Sequence, residues 1–344
     1  MSDKCTFKFS QWLADAAQKV GAQSAACVRM DSPVLRQRIA ENKIRTGDWL
    51  KAGLHGEMDY LQRMFSEKYN PWKTFPFAKS VIVLTFTNRW GEVEATHPFP
   101  TPEKDALLGY ISAYAKEVDY HTTGQNMLAE LKAMLGEGVV AEATVDTKAV
   151  EERLLATVGG LGIIGSNGLL RVPGKINTRV FIGCLFVNLE LPEVIREEAM
   201  PFGCEDCQAC IKNCPTGAIK FAQPMDARAC ISYLTIEKRS LLLKEEAALM
   251  GNWIFGCDDC TNVCPPKDKE PTKIPVDLEW LLKTSSSEIR RTIKGNATSY
   301  AGVTQLRKNA VAVLKNMDSV QSLELLEWTR KNSGSDLIRQ QIEL

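Results

Sequence analysis

Residues 204–217 read CEDCQACIKNCPTG, and this stretch decides the fold of the segment around it. Its cysteines are Cys204, Cys207, Cys210 and Cys214, in the spacing C-x2-C-x2-C-x3-C-P. In bacterial ferredoxins this pattern gives three thiolates to one [4Fe–4S] cluster and the fourth thiolate to another. The stretch therefore predicts a ferredoxin-like segment that binds two clusters.

A second set of cysteines supplies the remaining ligands. Cys230 stands alone, whereas Cys257, Cys260 and Cys264 lie in GCDDCTNVCP, residues 256–265. One predicted cluster is held by Cys204, Cys207, Cys210 and Cys264, and the other by Cys214, Cys230, Cys257 and Cys260. A pair of zinc sites is the alternative, because C-x2-C pairs also bind zinc. Two adjacent clusters imply transfer of single electrons to an acceptor held nearby.

Composition limits the other possibilities. The 344 residues contain 42 Lys and Arg and 42 Asp and Glu, so bulk positive charge does not hold this protein on nucleic acid. The length predicts two or three domains. The first residues, MSDKCTFKFSQWLADAAQKV, do not resemble a signal peptide, and no apolar run is long enough to span a bilayer. We therefore expect a cytosolic protein, in which clustered cysteines bind metal rather than form disulfides.

Helical and strand patterns alternate before the cysteines. Roughly the first 60 residues are predicted to be helical, with helices in FSQWLADAAQKVGA, through the 40s and in LHGEMDYLQR. A buried strand is predicted from Ser80 to Asn88. A long helix is predicted from about Glu103 to Leu135, then a strand in VVAEATVDT and a helix in AVEERLLATVGG. LGIIGSNGLLRV and TRVFIGCLFVNLEL are predicted to pair as strands, and LRKNAVAVLKNM and SLELLEWTRKN to form two helices. The pattern favours an α+β fold.

An acidic residue and a glycine-rich turn stand out in VDTKAVEERLLATVGGLGIIGSNGLL, residues 145–170. Asp146 follows a predicted strand and precedes a helix, where an aspartate is most often an N-cap. The glycines that follow would permit close approach of a large ligand. They do not form G-x-G-x-x-G between a strand and its helix, so a nicotinamide-binding fold is not supported.

Several stretches together resemble the epoxyqueuosine reductase family. They are HGEMDYL, AKSVIVL, DYH at 119–121, the 145–170 segment, CEDCQACIKNCPTGAI, CISYLTIEKR, GCDDCTNVCP and LRKNAVAVL. The resemblance implies a nitroreductase-like, cobalamin-binding α/β domain over residues 1–195. It further implies a ferredoxin-like two-cluster domain over 196–270 and a short, HEAT-like helical region over 271–344. The implied activity is reduction of epoxyqueuosine to queuosine in tRNA, with electrons passed from the clusters to cobalamin.

The resemblance also assigns site residues. Asp146 falls on the family's general acid, and enclosure by apolar groups and the corrin would raise its pKa toward that role. Cobalamin contacts are expected from Ser232 and from the backbone at Cys257 and Asp258. His121 is expected to line the same pocket, with a structural histidine as the alternative. Tyr69 stands where the family commonly has an arginine, and it is placed among the cofactor contacts.

Partners follow from the same resemblance. A tRNA anticodon stem–loop and an electron donor such as flavodoxin or ferredoxin are expected, with the protein acting as a monomer. Contacts with RNA phosphates are expected from a group of cations near the C-terminus; the alternative is that these cations only form a solvated helix face. They are Lys238, Arg239, Arg290, Arg291, Lys294, Arg307 and Lys308. The segment GNATSYAG lacks the family's basic residues, as does Gly165-Ser166-Asn167. A related reductase of small molecules, such as a reductive dehalogenase-like enzyme, and a ferredoxin-type electron carrier are therefore the alternative functions.

Overall fold

The computed structural model describes residues 3–87, 98–116, 118–174, 178–196, 203–265 and 273–344. Its strands are β1 (Ser24–Arg29), β2 (Ser80–Phe86), β3 (Leu108–Ser112), β4 (Ala141–Thr144), β5 (Ile163–Ile164), β6 (Leu170–Arg171), β7 (Phe181–Val187), β8 (Trp253–Phe255) and β9 (Lys273–Asp277). None of the helices in these ranges is long and apolar enough to cross a membrane.

The helices cover both halves of the chain. In the first half they are α1 (Asp3–Lys19), α2 (Pro33–Lys51), α3 (Tyr60–Arg63), α4 (Phe65–Lys68), α5 (Pro71–Thr74), α6 (Tyr120–Met134) and α7 (Glu152–Val158). In the second half they are α8 (Cys204–Cys207), α9 (Ala209–Asn213), α10 (Lys244–Leu249), α11 (Asp259–Asn262), α12 (Leu278–Lys283), α13 (Ser286–Thr292), α14 (Gly302–Met317), α15 (Val320–Asn332) and α16 (Asp336–Glu343).

The first sheet has the order β1-β2-β7-β4 and is antiparallel throughout. Every residue of β2 is buried, because helices cover both faces of the sheet. Alternate β2 residues point to opposite faces: Ile82 packs with Leu13 and Leu128 of α1 and α6, whereas Val83 packs with residues of α2 and α7. Burial on both faces explains why the SVIVLTF run is continuously apolar rather than alternating.

The second sheet joins distant segments of the chain. Its order is β8-β3-β9, with β3 parallel to β8 and antiparallel to β9. Its core includes Ile111 of β3, Phe255 of β8, Val276 of β9 and Leu306 of α14. This sheet therefore fixes the cysteine-rich segment and the C-terminal helices against the N-terminal half of the chain. The predicted domain limit at 195 lies just before residues 197–202, which the structure does not describe. The predicted limit at 270 lies within residues 266–272, which it does not describe either.

Three predictions made from local patterns were wrong. The helix expected from Glu103 to Leu135 is replaced by β3, a 3-10 turn at Ala113–Ala115 and a helix that begins only at Tyr120, after the N-cap Asp119. β1 lies in a stretch that was predicted to be helical, and its pairing with β2 overrides that prediction. The strands within LGIIGSNGLLRV, β5 and β6, pair with each other, while β7 pairs with β2 and β4.

The remaining element predictions were confirmed. The strand from Ser80 runs to Phe86, and the predicted end at Asn88 lies outside the described residues. Helix α7 ends at Gly159, which caps it. The two predicted C-terminal helices are α14 and α15, and α15 begins with a capping box at Ser319.

Candidate functional site: two thiol sets and an aromatic cleft

The eight clustered cysteines form two neighbouring sets of four. The thiol of Cys264 interacts electrostatically with those of Cys204, Cys207 and Cys210, although the chain separates it from them by the whole segment. In the other set the thiol of Cys230 interacts with that of Cys214, and those of Cys257 and Cys260 both interact with that of Cys230. The structure thus brings together the same fours that the sequence predicts, and Cys260 also faces Cys210 of the first set.

Local backbone geometry aims these thiols. α8 and α9 are single turns separated by Gln208, which adopts a left-handed conformation with φ 49°. Around the second set, the Cys230 thiol accepts hydrogen bonds from the hydroxyl and backbone N–H of Ser232 and from the N–H of Tyr233. Hydrogen bonds of this kind stabilise thiolates. Within the described ranges no three His, Cys, Asp or Glu side chains converge closely enough to hold one metal ion.

Ser232 begins a π-helix at Tyr233–Glu237, a rare element that is frequent at functional sites. Two other stretches of the sequence hold it. From HGEM, the N–H of Glu57 donates to the Tyr233 hydroxyl at 2.7 Å, and a side chain at Gly56 would overlap the Tyr233 ring. The Glu57 carboxylate accepts from the backbone N–H groups of Arg239 and Ser240 at 2.9 and 3.1 Å.

The second support comes from LRKN in α14. Lys308 and Asn309 are both 0% exposed. The Lys308 ammonium donates to the carbonyls of Lys238 and Ser240 at 2.6 and 2.9 Å, and the Asn309 amide donates to those of Thr235 and Ile254 at 2.7 and 2.9 Å. The bonds to Thr235 and Lys238 satisfy carbonyls that the end of the π-helix leaves without helical partners, and the bond to Ile254 ties α14 to β8. The segment from Cys230 to Glu237 is therefore rigidly placed.

Asp146 lies on the other side of this segment, in the loop between β4 and α7. Its backbone is left-handed, with φ 53°, and its side chain is exposed. The Tyr120 hydroxyl donates to its carboxylate at 3.2 Å. Among the described residues Asp146 is thus exposed, and they do not by themselves provide the apolar enclosure expected from the sequence.

Tyr60 and Glu237 interact electrostatically with Asp146 from other parts of the fold, and we call the space between Asp146 and Glu237 the cleft. Tyr60, which ends the stretch HGEMDY, interacts electrostatically with Asp146, Glu237 and Tyr300. Burial raises the pKa of Glu237, and the charge of Asp146 adds to the effect while a hydrogen bond from the Tyr300 hydroxyl opposes it. Tyr120 stacks on Phe181 with ring centroids 4.1 Å apart. The sequence reasoning did not select Glu237, although it lies within the quoted CISYLTIEKR.

His121 and Asp258 both make defined internal contacts. The His121 ring donates from Nδ1 to the Asp119 carboxylate at 2.6 Å, and this bond raises the pKa of His121. His121 is half-buried and also interacts with the charge of Asp146. Asp258 is 3% exposed, and its carboxylate accepts from the Ser112 hydroxyl at 2.5 Å and from the Ala113 N–H at 2.7 Å. The Asp258 side chain therefore ties the second thiol set to β3.

Tyr69 lies inside the N-terminal core rather than on the cleft. It is 4% exposed, and its hydroxyl, with one proton to donate, hydrogen-bonds with the Thr46 hydroxyl at 2.6 Å and the Glu151 carboxylate at 3.2 Å. Asn42 donates to the same hydroxyl and to Glu151. These contacts favour a structural role for Tyr69 over the cofactor contact expected from the sequence.

The glycine-rich turn packs against protein. A side chain at Gly160 would overlap the carbonyl of Arg196, and one at Gly159 would press on the methyl group of Ala26. Gly165 lies over the Cys204 sulfur, with 3.6 Å between that sulfur and an added Cβ. These glycines therefore permit close packing of the chain on itself, where the sequence suggested close approach of a ligand.

Four of the cations expected at RNA are used internally. Lys308 is buried as described, and Lys238 forms ion pairs with Glu57 and Glu246 at 3.5 and 3.3 Å. The guanidinium of Arg239 donates to the carbonyls of Tyr300 and Ala301, and that of Arg307 donates to carbonyls at the end of α12. Arg290, Arg291 and Lys294 remain exposed.

Comparison with known proteins identifies the family of this chain. Residues 203–267 match the 4Fe-4S double cluster binding domain, and residues 68–148 match the model described as Epoxyqueuosine reductase QueG, DUF1730. An epoxyqueuosine reductase of Pseudomonas aeruginosa is 34% identical over 325 residues, covering 89% of this chain and 86% of the relative. The chain belongs to the epoxyqueuosine reductase family.

Solved structures agree on the fold of this family member. A selenomethionine-labelled epoxyqueuosine reductase superposes with a TM-score of 0.82 at 22% identity, covering 98% of this chain and 89% of the other. An epoxyqueuosine reductase solved with an epoxyqueuosine-modified tRNA-Tyr stem loop gives 0.77 at 20% identity, covering 98% of both chains. The predicted α+β fold class and the two [4Fe–4S] clusters are confirmed, and the zinc alternative is not supported.

Proposed function

We propose that this protein reduces epoxyqueuosine to queuosine in tRNA, with Asp146 as proton donor on one wall of the cleft and the cluster-bearing segment on the other. The observation that carries the proposal is the electrostatic contact of Asp146 with Glu237, which stands at the end of the rigid segment that begins at the cluster ligand Cys230. Family membership at 34% identity over most of the chain supplies the reaction.

The reaction balances with the groups available. Conversion of an epoxide to an alkene breaks both carbon–oxygen bonds and needs two electrons and two protons, and the oxygen leaves as water. The clusters supply electrons singly from an external donor. Asp146 supplies a proton to the departing oxygen, since an oxygen anion is a poor leaving group without one. The exposure of Asp146 allows it to regain a proton from water between turnovers.

The cleft fits cobalamin, the cofactor expected from the family. The partly exposed side chains of Tyr60, Tyr120 and Phe181 offer apolar contacts to a large ring, and tyrosine hydroxyls suit the amide groups on a corrin's rim. The Ser232 hydroxyl hydrogen-bonds to the Cys230 thiol, a predicted cluster ligand. Cobalamin bound there would supply the low-potential chemistry that converts single electrons into a two-electron reduction. Ser232 and the backbone at Cys257 and Asp258 would hold it on the cluster side.

Binding of tRNA is supported by the charges that stay exposed. The carbonyl of Gly295, next to Lys294, accepts the N–H of Asp119 at 2.8 Å, and Asp119 precedes the tyrosine that contacts Asp146. The chain at Lys294 therefore passes close to the segment that carries Tyr120, and Arg290 and Arg291 precede it in α13. Phosphate contacts by such a local patch position an RNA without requiring net positive charge. The stem–loop of a neighbour with the same fold is the expected partner.

The remaining assignments complete the proposal. A small redox protein such as flavodoxin or ferredoxin donates the electrons, and the enzyme works as a monomer in the cytoplasm, where its tRNA substrate is found. The three domains expected from the sequence, residues 1–195, 196–270 and 271–344, stay our proposal for the organisation of the chain, with β3 of the first joined to β8 and β9 of the other two. A reductase of small molecules is the second candidate, and the internal use of Lys238, Arg239, Arg307 and Lys308 favours it.

One experiment separates these functions. Protein prepared anaerobically with cobalamin is analysed for iron and cobalt, then given reductant and epoxyqueuosine-containing tRNA or the free nucleoside. The proposal expects iron for two clusters, one cobalt per chain, and queuosine formed in tRNA far faster than in the nucleoside. Equal rates on both would favour the small-molecule enzyme. Fully loaded protein that makes no queuosine at all would refute the proposal.

A further inference from the structure

The backbone at Asp146 is held by one carboxylate. The backbone N–H of Asp146 donates to both carboxylate oxygens of Glu152, at 2.9 and 3.0 Å. The Thr144 hydroxyl donates to one of the same oxygens at 3.0 Å. Glu152 is the first residue of α7 and Thr144 the last of β4, so one carboxylate closes the loop between the two elements.

Asp146 needs such a restraint. Its φ of 53° lies in the left-handed region, which side chains other than glycine enter only when their surroundings impose it. The Asp146 side chain contributes one long hydrogen bond, from Tyr120 at 3.2 Å. The charged Glu152 carboxylate is therefore the stronger of the two contacts that set the direction of the Asp146 side chain.

We propose that Glu152 is the positioning residue for the proton donor: its ionised carboxylate holds the Asp146 backbone in the conformation that turns the Asp146 side chain to the cleft, and its protonation releases the loop. The inference rests on the proposed function, in which Asp146 is that donor. It adds that protonation of Glu152, which contacts the donor and not the substrate, controls whether the donor is in place.

The groups around Glu152 set the pH at which this happens. Burial raises the pKa of Glu152 to about 7, the negative charge of Asp146 raises it further, and the Lys68 ammonium and the bond from Thr144 oppose the rise. His121 of α6 and the buried Cys184 thiol of β7 also face it. Above pH 7 both oxygens accept from the Asp146 N–H. Below pH 7 one oxygen carries a proton and the pair of bonds is reduced to one.

The test compares Glu152→Gln with Glu142→Gln. Glu142 lies on β4, and among the described residues its carboxylate pairs with the exposed Lys148 rather than with the Asp146 backbone. Amide hydrogen exchange at Asp146, measured on the holoenzyme at pH 8, is expected to be at least tenfold faster in Glu152→Gln than in the wild type. Glu142→Gln is expected to match the wild type.

Turnover against pH gives the second readout. In the wild type kcat is expected to rise with pH through about 7, as Glu152 ionises. Glu152→Gln should lose this limb and reach a plateau at least tenfold lower, with cluster and corrin absorbance unchanged. If Glu152→Gln folds poorly, Thr144→Val tests the proposal instead. Loss of the Thr144 hydrogen bond raises the pKa of Glu152, so the rise of kcat should move to higher pH.

The outcomes distinguish this inference from the proposed function. Unchanged amide exchange in Glu152→Gln, or a rising limb that persists in it, overturns the role of Glu152 and leaves the reductase activity standing. If no loaded variant, including the wild type, forms queuosine, then the proposed function fails while the exchange measurement still decides whether Glu152 holds the loop.

Discussion

The two walls of the cleft are built in opposite ways. The π-helix wall is held from three sides by buried groups: the Tyr233 hydroxyl bonded to Glu57, and the side chains of Lys308 and Asn309 bonded to its carbonyls. The Asp146 wall is a loop exposed at residues 146–148, where the Glu152 carboxylate accepts the Asp146 N–H. The difference fits the two tasks, since electron transfer depends on fixed separations between centres, whereas a proton donor must meet a large substrate and then regain its proton from water. Substitutions in one wall should therefore leave the structure of the other wall unchanged.

Replacing Cys207 and Cys260 together by serine should have the largest effect. Each substitution removes a ligand from a different thiol set. We expect loss of most of the iron absorbance and of all measurable turnover, because electrons then have no route to the cleft. Iron analysis and a queuosine assay measure both effects.

Cys5→Ser is the matched control for this double variant. Its thiol is exposed and lies outside both sets. It should keep full iron content and activity. A double serine variant that retained wild-type turnover would contradict the assignment of the clusters.

Gly56→Ala should loosen the rigid wall. A Cβ at Gly56 overlaps the Tyr233 hydroxyl and ring, and φ there is +61°, so we expect a loss of about 2–4 kcal/mol in the free energy of unfolding. Denaturant unfolding of the anaerobic holoenzyme measures it.

Gly53→Ala separates overlap from backbone strain in that result. Its φ is +66° but nothing lies within 4 Å of an added Cβ, so only the strain of about 1 kcal/mol is expected. Equal losses in the two variants would show that Tyr233 does not need Gly56.

The smallest effect is expected at the end of α13. Replacing Arg291 and Lys294 together by alanine should weaken tRNA binding by several-fold and lower the slope of log Kd against log salt by about 2, since each cation releases roughly one counterion. Both side chains are exposed, so stability should stay constant. Filter binding at several salt concentrations checks this.

The matched control is Lys51→Ala with Lys43→Ala on α2, outside the cleft. Those cations should leave the salt slope unchanged. A slope that responded equally to both pairs would mean that RNA binding is spread over the surface rather than placed at α13.

Sequence predicts those features of this molecule that short segments determine. The cysteine spacing fixes which thiols share a set, and the apolar run of β2 predicts a buried strand, because both depend on neighbours in the chain. β3 was missed since its partners, β8 and β9, lie more than a hundred residues away, and only their pairing makes Tyr110 and Ile111 extended.

Site residues divide in the same way. Asp146 was selected through its motif, but the partner that holds it was not, because an acidic residue at the start of α7 is ordinary for a helix and only the folded loop turns Glu152 back toward Asp146. Lys308 and Arg307 were expected at RNA because sequence shows their charge and not their burial.

The most direct test of the account is a single turnover by Asp146→Asn. Loaded anaerobic protein is reduced, mixed with epoxyqueuosine-containing tRNA, and followed by cluster absorbance and by mass spectrometry of the nucleoside. We predict that the variant takes up electrons and binds tRNA as the wild type does, while queuosine forms roughly 10²–10⁴-fold more slowly, the usual contribution of a general acid. Queuosine formed at the wild-type rate would show that the proton comes from elsewhere.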